Sequence, residues 1–364
     1  MRIAYDHQIF TQQQFGGISR YFAELVPRLV ALGESPLIFA GLHRNEYLNT
    51  LSPGMVRGRF TPGIHGRLQR LRFRVNEAYM KRGMAQWKPD VIHETYYRSS
   101  VSGPKGTPVV VTVHDMVHEL FPEEFPNQKV ESDAKRKAVE LAAHVICISR
   151  NTRDDLIRIF GVEPDKISVV HHGYEGIGSN CTAASSSKRM YFLFVGHRGG
   201  YKNFRRLIEA AAGSGIQRDF DILAFGGNRF SPEELKHLRA LGYRDNQVRQ
   251  IAGSDSLLAS LYRGAHALVY PSIYEGFGLP PLEAMAQGCP VISSNTSSMP
   301  EVIGDAAEFF DPLDVEDMSR ALSRIAFSDS RRSELIAMGL ERIKQFSWDK
   351  TAAETRGVYQ KILK

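Results

Sequence analysis

Long apolar runs are missing from this sequence. No stretch reaches the roughly eighteen consecutive apolar residues that a membrane-spanning helix needs. The amino-terminal stretch MRIAYDHQIF carries a single basic residue before a short strand-like run and lacks the apolar segment of a signal peptide. We therefore expect the protein in the cytoplasm, either free there or at the cytoplasmic face of the membrane.

Cysteine is also scarce. The three cysteines, Cys147, Cys181 and Cys289, are widely separated, and no CxxC motif or Cys/His pairing accompanies them. Cys147 falls in the apolar run HVICIS, which is typical of a small buried hydrophobic residue. This pattern indicates that Cys147 packs in the protein interior and does not take part in catalysis or metal binding.

The signatures of several enzyme classes are absent. The sequence has no Walker loop, no HExxH and no Gly-x-Ser-x-Gly elbow, and the first strand–helix turn lacks the G-x-G-x-x-G of a dinucleotide site. The metal-binding Asp-x-Asp of another transferase fold occurs only as Asp219-Phe220-Asp221, which leads into the strand DILAFGG. We interpret those two acids as solubilising residues at a strand entrance, and we predict neither a metal site nor a cofactor.

The length and composition predict two domains. With 364 residues, 43% of them hydrophobic and 24% charged, the chain is balanced like a folded protein and is too long for one ordinary core. Residues 176–189, GIGSNCTAASSSKR, read as a linker. We predict a first domain at 1–175, a second at 190–346, and a final helix at 347–364 that crosses back to the first.

Both halves alternate strand-like runs with helix-length amphipathic stretches, which predicts parallel sheets covered by helices. The strand candidates are RIAYD, PLIFAG, DVIHE, PVVVTVHD, HVICIS and ISVVHHG, then YFLFVG, DILAFGG, QVRQIAG, ALVYPS and PVISS. Helical patterns cover 19–31, 72–86 and 132–142 in the first half. Ligands of such sheets gather at the carboxyl ends of the strands, so the functional residues are expected directly after them.

Positive charge is concentrated in one segment. Residues 41–88 contain ten Lys or Arg against two Glu, so they carry +8 of a chain whose net charge is +6. This local excess favours a docking face over general nucleic-acid binding. Within GRLQRLRFRV, apolar residues alternate with Arg70, Arg72 and Arg74. The stretch fits contact with an anionic membrane or acceptor, or a solvated basic helix whose apolar side lies in the core.

The strongest motif lies between Tyr274 and Glu283. The strand ALVYPS ends in a loop with two glycines, followed by two prolines and a helix that begins LEAMAQG. Glycine lets a backbone approach a ligand closely, and a helix amino terminus offers N–H groups to a phosphate. Glu275 and Glu283, on either side of this turn, can accept hydrogen bonds from sugar hydroxyls.

The stretch EGFGLPPLE closely resembles the paired-glutamate motif of retaining glycosyltransferases of family 4, a large family that includes sucrose synthase and many bacterial mannosyltransferases. The segment AMAQGCPVISSNTSSMPEVIGDAAEFFDP and the loop VGHRGGYKN are similar to that family as well. The resemblance implies the GT-B fold, in which two Rossmann-like domains face each other across a cleft.

The resemblance also implies roles for individual residues. Glu275 would bind hydroxyls of the transferred sugar, and Glu283 the ribose of the nucleotide. Arg198 and Lys202 match the basic pair that neutralises the diphosphate. The backbone that would contact sugar and phosphate is that of Gly276, Phe277, Gly278 and Leu279. The base would lie near Gly226, Gly227 and 251–253, and the role of His197 stays open.

In the first domain the resemblance is looser. Gly16-Gly17 resembles the glycine loop that faces the diphosphate, and His114, after VVVTVHD, takes the place of a histidine near the donor sugar. Asp115 would orient that histidine or the acceptor. His171-His172-Gly173 fits a hinge or a ligand contact equally, and Ser149 and Arg150 match a serine and a basic residue near the cleft.

The implied activity is metal-independent, retaining transfer of a hexose from a nucleotide sugar, by front-face attack in which the leaving phosphate helps to deprotonate the acceptor. The form of the VGHRGGYKN loop resembles mannosyltransferases that use GDP-mannose in O-antigen or exopolysaccharide synthesis. UDP-sugars remain an alternative donor, and a non-catalytic sugar-nucleotide-binding protein an alternative function. The expected partners are the nucleotide sugar and a saccharide or polyprenyl-linked acceptor docked on the first domain, with peripheral inner-membrane contact through 41–88.

Overall fold

The computed structural model describes residues 1–63, 67–176 and 189–364, with only the backbone for Arg67. Most of the predicted linker, 176–189, therefore lies outside the described residues. The chain divides into an N-unit, Met1–Gly173 with Ser347–Lys364, and a C-unit, Tyr174–Phe346. No helix within the described ranges is both long enough and apolar enough to cross a membrane.

The N-unit is built on a sheet of seven parallel strands. Their bounds are β1 (Arg2–Tyr5), β2 (Ser35–His43), β3 (Val56–Phe60), β4 (Val91–Glu94), β5 (Val109–Val113), β6 (His144–Cys147) and β7 (Ile167–Val169). The order across the sheet is β3-β2-β1-β4-β5-β6-β7. Every residue of the interior strand β5 is buried, which explains its continuous Val-rich run. Strand β3 was not predicted, because this edge strand exposes Arg57, Gly58 and Arg59 and shows no apolar run.

The helices of the N-unit connect these strands. Their bounds are α1 (Gln8–Gln12), α2 (Gly17–Ala31), α3 (Arg67–Trp87), α4 (Val117–Leu120), α5 (Gln128–Leu141), α6 (Arg150–Phe160) and, from the end of the chain, α14 (Trp348–Ile362). Helix α14 packs against α2 and buries Trp348 and Tyr359. The Tyr359 hydroxyl lies 3.0 Å from the Tyr5 hydroxyl and 2.6 Å from His93 Nδ1, so the chain end is tied to the middle of the sheet.

The C-unit repeats the same architecture with six parallel strands. The strands are β8 (Met190–Val195), β9 (Phe220–Phe225), β10 (Val248–Ile251), β11 (Ala267–Tyr270), β12 (Val291–Ser294) and β13 (Glu308–Phe310). The helices are α7 (Phe204–Gly213), α8 (Pro232–Ala240), α9 (Asp255–Gly264), α10 (Leu279–Ala286), α11 (Met299–Ile303), α12 (Val315–Ala326) and α13 (Asp329–Arg342). The strand order is β10-β9-β8-β11-β12-β13, and the prediction of two parallel α/β domains is confirmed.

Both sheets reverse their strand order beside their first strand. In the N-unit the reversal lies between β1 and β4, and in the C-unit between β8 and β11. At such a reversal the connections leave in opposite directions and open a crevice at the carboxyl ends of the two strands. Each unit therefore has one preferred place for a ligand, and the residues that follow these four strands define it.

Helix α3 corrects one prediction about the basic segment. Its buried side carries Arg72, Asn76, Met80 and Met84, at intervals of four residues. Arg72 is only 2% exposed, and its Nη2 donates to the Thr11 carbonyl at 3.0 Å. The expectation that Arg72 lies on the surface with Arg70 and Arg74 is therefore wrong, because the helical repeat turns it inward.

A second face of α3 exposes apolar residues to solvent, so the alternative of an apolar side in the core holds for Met80 and Met84 but not for this face. Leu68, Leu71, Val75 and Tyr79, here called the apolar stripe, are between 46% and 61% exposed. They recur at three- and four-residue intervals and so share one helix face. The exposed residues Arg70, Arg74 and Lys81, here called the basic row, lie beside them at intervals of four and seven. The helix thus presents both apolar and basic side chains to solvent.

A network of charged groups is buried at the strand-order reversal of the N-unit. Arg98, 7% exposed, lies between Asp6 Oδ2 at 3.3 Å and Glu77 Oε2 at 2.5 Å. Glu94, 3% exposed, accepts hydrogen bonds from the Ser102 backbone and hydroxyl. Burial, followed by the charge of Asp6, raises the pKa of Glu94 to about 8. Glu94 is consequently protonated at neutral pH.

We expect Glu94→Gln to become more stable than the wild type as the pH is raised from about 5 to about 8. The unfolded chain releases the Glu94 proton near its ordinary pKa of 4.5, whereas the folded protein keeps it up to a pKa of about 8. Between these values the folded state binds the extra proton, so the wild type loses stability as the pH rises. Glutamine has no proton to lose and retains an acceptor for Ser102.

The measurement is the difference in Tm between variant and wild type across this pH range. Buried His93, whose pKa is lowered to about 3 by desolvation, is present in both proteins, so its titration cancels in the difference. The matched control is Glu123→Gln, at an exposed glutamate, for which the difference should be flat. A Glu94→Gln difference that does not change with pH would show that this carboxyl ionises normally.

Candidate active site

Two loops of the C-unit meet where its strand order reverses. The segment 196–203 follows β8, and the segment 271–278 follows the neighbouring strand β11. The Ile273 N–H donates to the Tyr201 carbonyl at 2.7 Å and joins them. The sequence-predicted residues Lys202 and Glu275 are thereby placed on adjoining loops.

Lys202 and Glu275 form an ion pair. Lys202 Nζ lies 2.7 Å from Glu275 Oε1, and the two side chains are only 15% and 12% exposed. The Lys202 ammonium also lies 5.3 Å from the centre of the Tyr201 ring and 5.9 Å from that of Tyr270. An ion pair this shielded from water interacts more strongly than a surface pair. The cation and the carboxylate for which the family resemblance implies contact with phosphate and sugar are thus neighbours.

Two serines that the sequence analysis overlooked hold Glu275 in place. The Glu275 carbonyl accepts hydrogen bonds from Ser297 Oγ at 2.7 Å and Ser298 Oγ at 2.9 Å. Ser298 Oγ also reaches the Phe277 carbonyl at 3.0 Å. The stretch SSNTSSMPEV was noted only for its family resemblance. The available signal was the hydroxyl-rich loop that follows β12. Because β12 pairs in parallel with β11, the loops after both strands lie at the same edge of the sheet.

The glycine loop leads directly into α10. Gly278 is the residue before this helix and has φ +95°, a conformation that favours glycine. Among the first helical positions, Pro280 and Pro281 have no N–H group. The donors that the start of α10 can direct at an anion are therefore the N–H groups of Gly278 and Leu279.

Glu283 lies on α10 itself and is half-buried. Its Oε2 accepts a hydrogen bond from the Tyr262 hydroxyl at 3.0 Å. Burial, followed by the charge of Glu283, raises the pKa of Tyr262 well above its ordinary value, so the phenol stays a donor. Glu283 is thus oriented by Tyr262, whereas Glu275 is oriented by Lys202.

Arg198 is held by a different partner from the one that holds Lys202. Its Nε and Nη2 donate to the two carboxylate oxygens of Glu234, at 2.9 and 3.2 Å, and its guanidinium lies 4.2 Å from the centre of the Phe230 ring. The remaining nitrogen, Nη1, is buried without a hydrogen-bond partner. It faces Gly227, where an added Cβ would lie 3.2 Å away. Arg198 also lines a cavity of about 500 Å³.

The residues predicted to lie near the base follow β9 and β10. Gly226 and Gly227 have φ +94° and +65°, and their carbonyls accept hydrogen bonds from Gln250 Nε2 at 3.3 and 3.2 Å. The Gly226 N–H donates to the Ile251 carbonyl at 2.8 Å. His197 lies nearby in the chain, and burial followed by the charge of Lys202 lowers its pKa. Its imidazole therefore adds no fixed charge at neutral pH.

Asp221, the second acid of the only Asp-x-Asp triplet, is engaged by cations. Arg189 Nε and Arg249 Nη2 lie 3.1 and 3.3 Å from its carboxylate oxygens. In the part of the chain that the structure describes, no group of three or more His, Cys, Asp or Glu side chains is placed to hold a metal ion.

The predicted residues of the N-unit lie at or near strand ends. His114 follows β5 and is 7% exposed, with its ring 5.6 Å from that of His172 in a stacked arrangement. Burial, followed by the neighbouring His93, lowers the pKa of His114 to about 3, so the ring is neutral. Its Nε2 is buried without a hydrogen-bond partner. Asp115 Oδ1 accepts from the Val117 N–H at 3.1 Å and so shapes the following turn.

The other predicted positions of the N-unit mainly begin helices. Gly17 is the first residue of α2, and the Gln13 side chain accepts from the Ser19 N–H at 3.1 Å. A Cβ at Gly16 would displace the end of the Gln13 side chain from its hydrogen bond with the Ser19 N–H. Ser149 caps α6 by accepting from the Thr152 N–H at 3.0 Å, and Arg150 begins that helix.

Comparison with known proteins agrees with this arrangement. The family model described as "Glycosyltransferase Family 4" matches residues 15–175, and that described as "Glycosyl transferases group 1" matches residues 182–342. The "O-antigen chain mannosyltransferase B" of Escherichia coli is 29% identical over 94% of this chain and 96% of its own length.

Solved structures share the fold of the whole chain. The sucrose-phosphate synthase from Thermosynechococcus elongatus has a TM-score of 0.75 at 19% identity, over 99% of this chain and 98% of its own. Anabaena Alr3699/HepE in complex with UDP-glucose has a TM-score of 0.72 at 16% identity, over 99% of this chain and 100% of its own. Two parallel-sheet units and two family matches together lead to one conclusion: the chain is a glycosyltransferase of the GT-B fold, with a family 4 amino-terminal part and a group 1 carboxy-terminal part.

Proposed function

We propose that the chain transfers a hexose from a nucleoside diphosphate donor with retention of configuration and without a metal ion. The observation that carries this proposal is the shielded Lys202–Glu275 pair beside the start of α10. A diphosphate needs fixed positive charge and N–H donors, which Lys202, Gly278 and Leu279 can supply. A sugar needs hydroxyl acceptors, and Glu275 is one that is already held in place.

The main requirement of the reaction is stabilisation of the leaving group. As the glycosidic bond to the donor phosphate breaks, negative charge develops on the diphosphate, and preorganised cations and dipoles stabilise it. The unused Nη1 of Arg198, beside Gly227, is a further donor for this purpose. Front-face attack requires no side-chain nucleophile, because the acceptor hydroxyl attacks the anomeric carbon directly as the bond to the phosphate breaks. It requires no side-chain base either, because the departing phosphate oxygen accepts the proton of that hydroxyl. The protein then contributes positioning and electrostatics.

For the donor we propose GDP-mannose, on the strength of the similarity to an O-antigen chain mannosyltransferase over nearly the whole chain. The second candidate is a UDP-sugar, because a protein of the same fold is known in complex with UDP-glucose. Cell-surface polysaccharide synthesis is the corresponding process, with a saccharide or lipid-linked saccharide as acceptor. A binding protein without turnover would use the same residues, so turnover itself must be measured.

The donor is tested by thermal denaturation of the full chain with GDP, UDP, ADP, GDP-mannose and UDP-glucose, each with EDTA and with Mg²⁺. A ligand that binds the folded state raises the Tm by mass action. We expect the largest rise with the GDP compounds, unchanged by EDTA. A preference for UDP compounds would replace the donor, a requirement for Mg²⁺ would overturn metal independence, and no rise with any nucleotide would refute the site.

We expect Lys202→Ala and Glu275→Gln each to lower kcat by roughly 10²–10³-fold, the range seen when one preorganised group on a developing charge is lost. Lys202→Ala should also abolish the Tm rise with nucleoside diphosphate, whereas Glu275→Gln should retain most of it, because Glu275 is assigned to the sugar. Donor turnover and Tm shift are measured side by side. The control is Lys344→Ala, at an exposed lysine paired with Glu341 at the surface. Wild-type kcat in Lys202→Ala would contradict the proposal.

We further propose that the basic segment contacts an anionic membrane through α3. Its apolar stripe can enter the interface while the basic row meets lipid headgroups, each basic residue contributing about 1 kcal/mol. Arg72 takes no part in this contact, since it is buried.

We expect Leu71→Glu with Val75→Glu to prevent co-flotation with vesicles of phosphatidylglycerol and phosphatidylcholine. Arg70→Gln with Arg74→Gln should weaken flotation and make it less dependent on salt, because fewer ion pairs with the lipid remain. The matched control is Leu313→Glu with Leu340→Glu, at exposed leucines of the C-unit, which should float like the wild type. Equal flotation of stripe variant and control, or none of the wild type, would rule out this contact.

A further inference from the structure

Glu234, in the first turn of α8, fixes the guanidinium of Arg198. Its two carboxylate oxygens accept hydrogen bonds from Arg198 Nε at 2.9 Å and Nη2 at 3.2 Å. The ring of Phe230 lies against the guanidinium, 4.2 Å from its carbon, and the Arg198 side chain is only 6% exposed. Two parallel hydrogen bonds to one carboxylate fix the plane of a guanidinium as well as its position. Arg198 is therefore held in one orientation.

Glu234 is itself held by the start of α8. The Ser231 N–H donates to Glu234 Oε2 at 2.7 Å, and the Glu234 N–H donates to Ser231 Oγ at 3.2 Å, so this helix begins with a capping box. The carboxylate keeps its place through bonds that do not involve Arg198. Because α8 follows β9 and Arg198 follows the neighbouring strand β8, the contact links two adjacent loops at the same edge of the sheet.

The contact decides which nitrogen of Arg198 is left over. An arginine has five N–H groups, and Glu234 accepts one from Nε and one from Nη2. Nη1 is buried and has no hydrogen-bond partner among the described residues. It faces Gly227, where an added Cβ would lie 3.2 Å away. Buried polar groups are nearly always paired, so an unpaired donor at the end of a strand indicates a place for a ligand or water.

Glu234 has two opposing effects on the affinity of Arg198 for an anion. Its negative charge offsets part of the guanidinium charge and weakens the attraction to a diphosphate. Its hydrogen bonds remove the entropy cost of ordering a flexible arginine when the ligand binds. The Glu234 side chain is 35% exposed, so water screens its charge, whereas its two hydrogen bonds to the buried guanidinium are retained. We expect the gain in order to exceed the loss of charge.

We propose that Glu234 is a positioning residue for the transfer reaction and orients Arg198 so that Nη1 meets the leaving diphosphate. This inference rests on the proposed function, in which Arg198 is a donor to that group. Glu234 acts only through Arg198 and contacts neither the sugar nor the nucleotide. Lys202 is fixed differently, because its carboxylate partner Glu275 is the residue assigned to the transferred sugar.

The experiment is a double-mutant cycle of Arg198→Ala and Glu234→Ala in the full chain. Donor turnover is followed as release of nucleoside diphosphate from GDP-mannose and UDP-glucose, and Kd is measured for GDP and UDP. We expect Glu234→Ala to lower kcat roughly tenfold to a hundredfold, as for a misplaced group, and to raise Kd about three- to tenfold. In the Arg198→Ala background the same change should alter both by less than about twofold, because the residue through which it acts is gone.

A further variant, Glu234→Gln, separates position from charge. Glutamine can accept from one N–H of Arg198, but its NH2 group then faces the second N–H, and the negative charge is lost. We expect a Kd for nucleoside diphosphate between those of the wild type and Glu234→Ala. Tighter binding than in the wild type would show that the charge of Glu234 outweighs its positioning effect and would overturn the proposal. Equal losses of kcat from Glu234→Ala in both backgrounds would overturn it as well.

Two controls separate positioning from folding. Glu233→Gln makes the same change at the neighbouring exposed glutamate and should leave kcat and Kd as in the wild type. Ser231→Ala removes the hydroxyl that caps α8 and should lower the Tm. It should keep Kd within about twofold, because the Ser231 N–H still donates to Glu234. A loss of kcat in Ser231→Ala as large as that in Glu234→Ala would assign the effect to the helix start and refute the positioning role.

Nucleotide binding in the wild type and in Lys202→Ala distinguishes this inference from the proposed function. If the wild type binds no nucleoside diphosphate, the proposed function fails and the inference fails with it. If the wild type binds and Lys202→Ala does not, the donor site stands. Wild-type kcat and Kd in Glu234→Ala would then remove this inference alone.

Discussion

The sites of this protein depend on one constraint: in a parallel sheet, every strand delivers its carboxyl end to the same edge. Residues far apart in the chain, such as Lys202 after β8 and Glu275 after β11, become hydrogen-bonded neighbours because their strands are adjacent. The same rule places Arg98, after β4, against Asp6, after β1. In both units the charged residues lie where the strand order reverses, since only there do the crossing connections leave room for a ligand.

Both units place a shielded ion pair at this edge of their sheet. In the C-unit a cation and the N–H groups before α10 are directed at the strand ends, which suits a phosphate-bearing ligand. In the N-unit Arg98 lies between the carboxylates of Asp6 and Glu77, and Lys81 Nζ lies 3.1 Å from Glu77 Oε1. A glycosyl transfer needs a place for the hydroxyl of the acceptor in addition to one for the diphosphate of the donor.

The sequence predicted those features that are local in the chain. The loop from Tyr274 to Glu283 is contiguous, so its glycines, prolines and carboxylates could be interpreted without knowing the fold. Strand β5 could be predicted because both its faces are buried, whereas the edge strand β3 exposes its side chains and leaves no periodic signal. The Asp6–Glu77–Arg98 network could not be predicted, because it joins residues separated by 21 to 92 positions. The attachment of Arg198 to Glu234 was missed for the same reason.

For helix α3 the composition was interpreted correctly, but the direction in which Arg72 points was predicted wrongly. The letters GRLQRLRFRV suggest alternation, but a helix repeats every 3.6 residues, so Arg72 falls with Asn76 and Met80 on the inner side. Burying one arginine against the Thr11 carbonyl leaves the leucines outside, and their exposure is unfavourable unless another surface covers them. The same helix contributes Glu77 to the ion-pair network with Asp6 and Arg98. Helix α3 thus has one face that holds it to the sheet and an apolar face that is left exposed for another surface to cover.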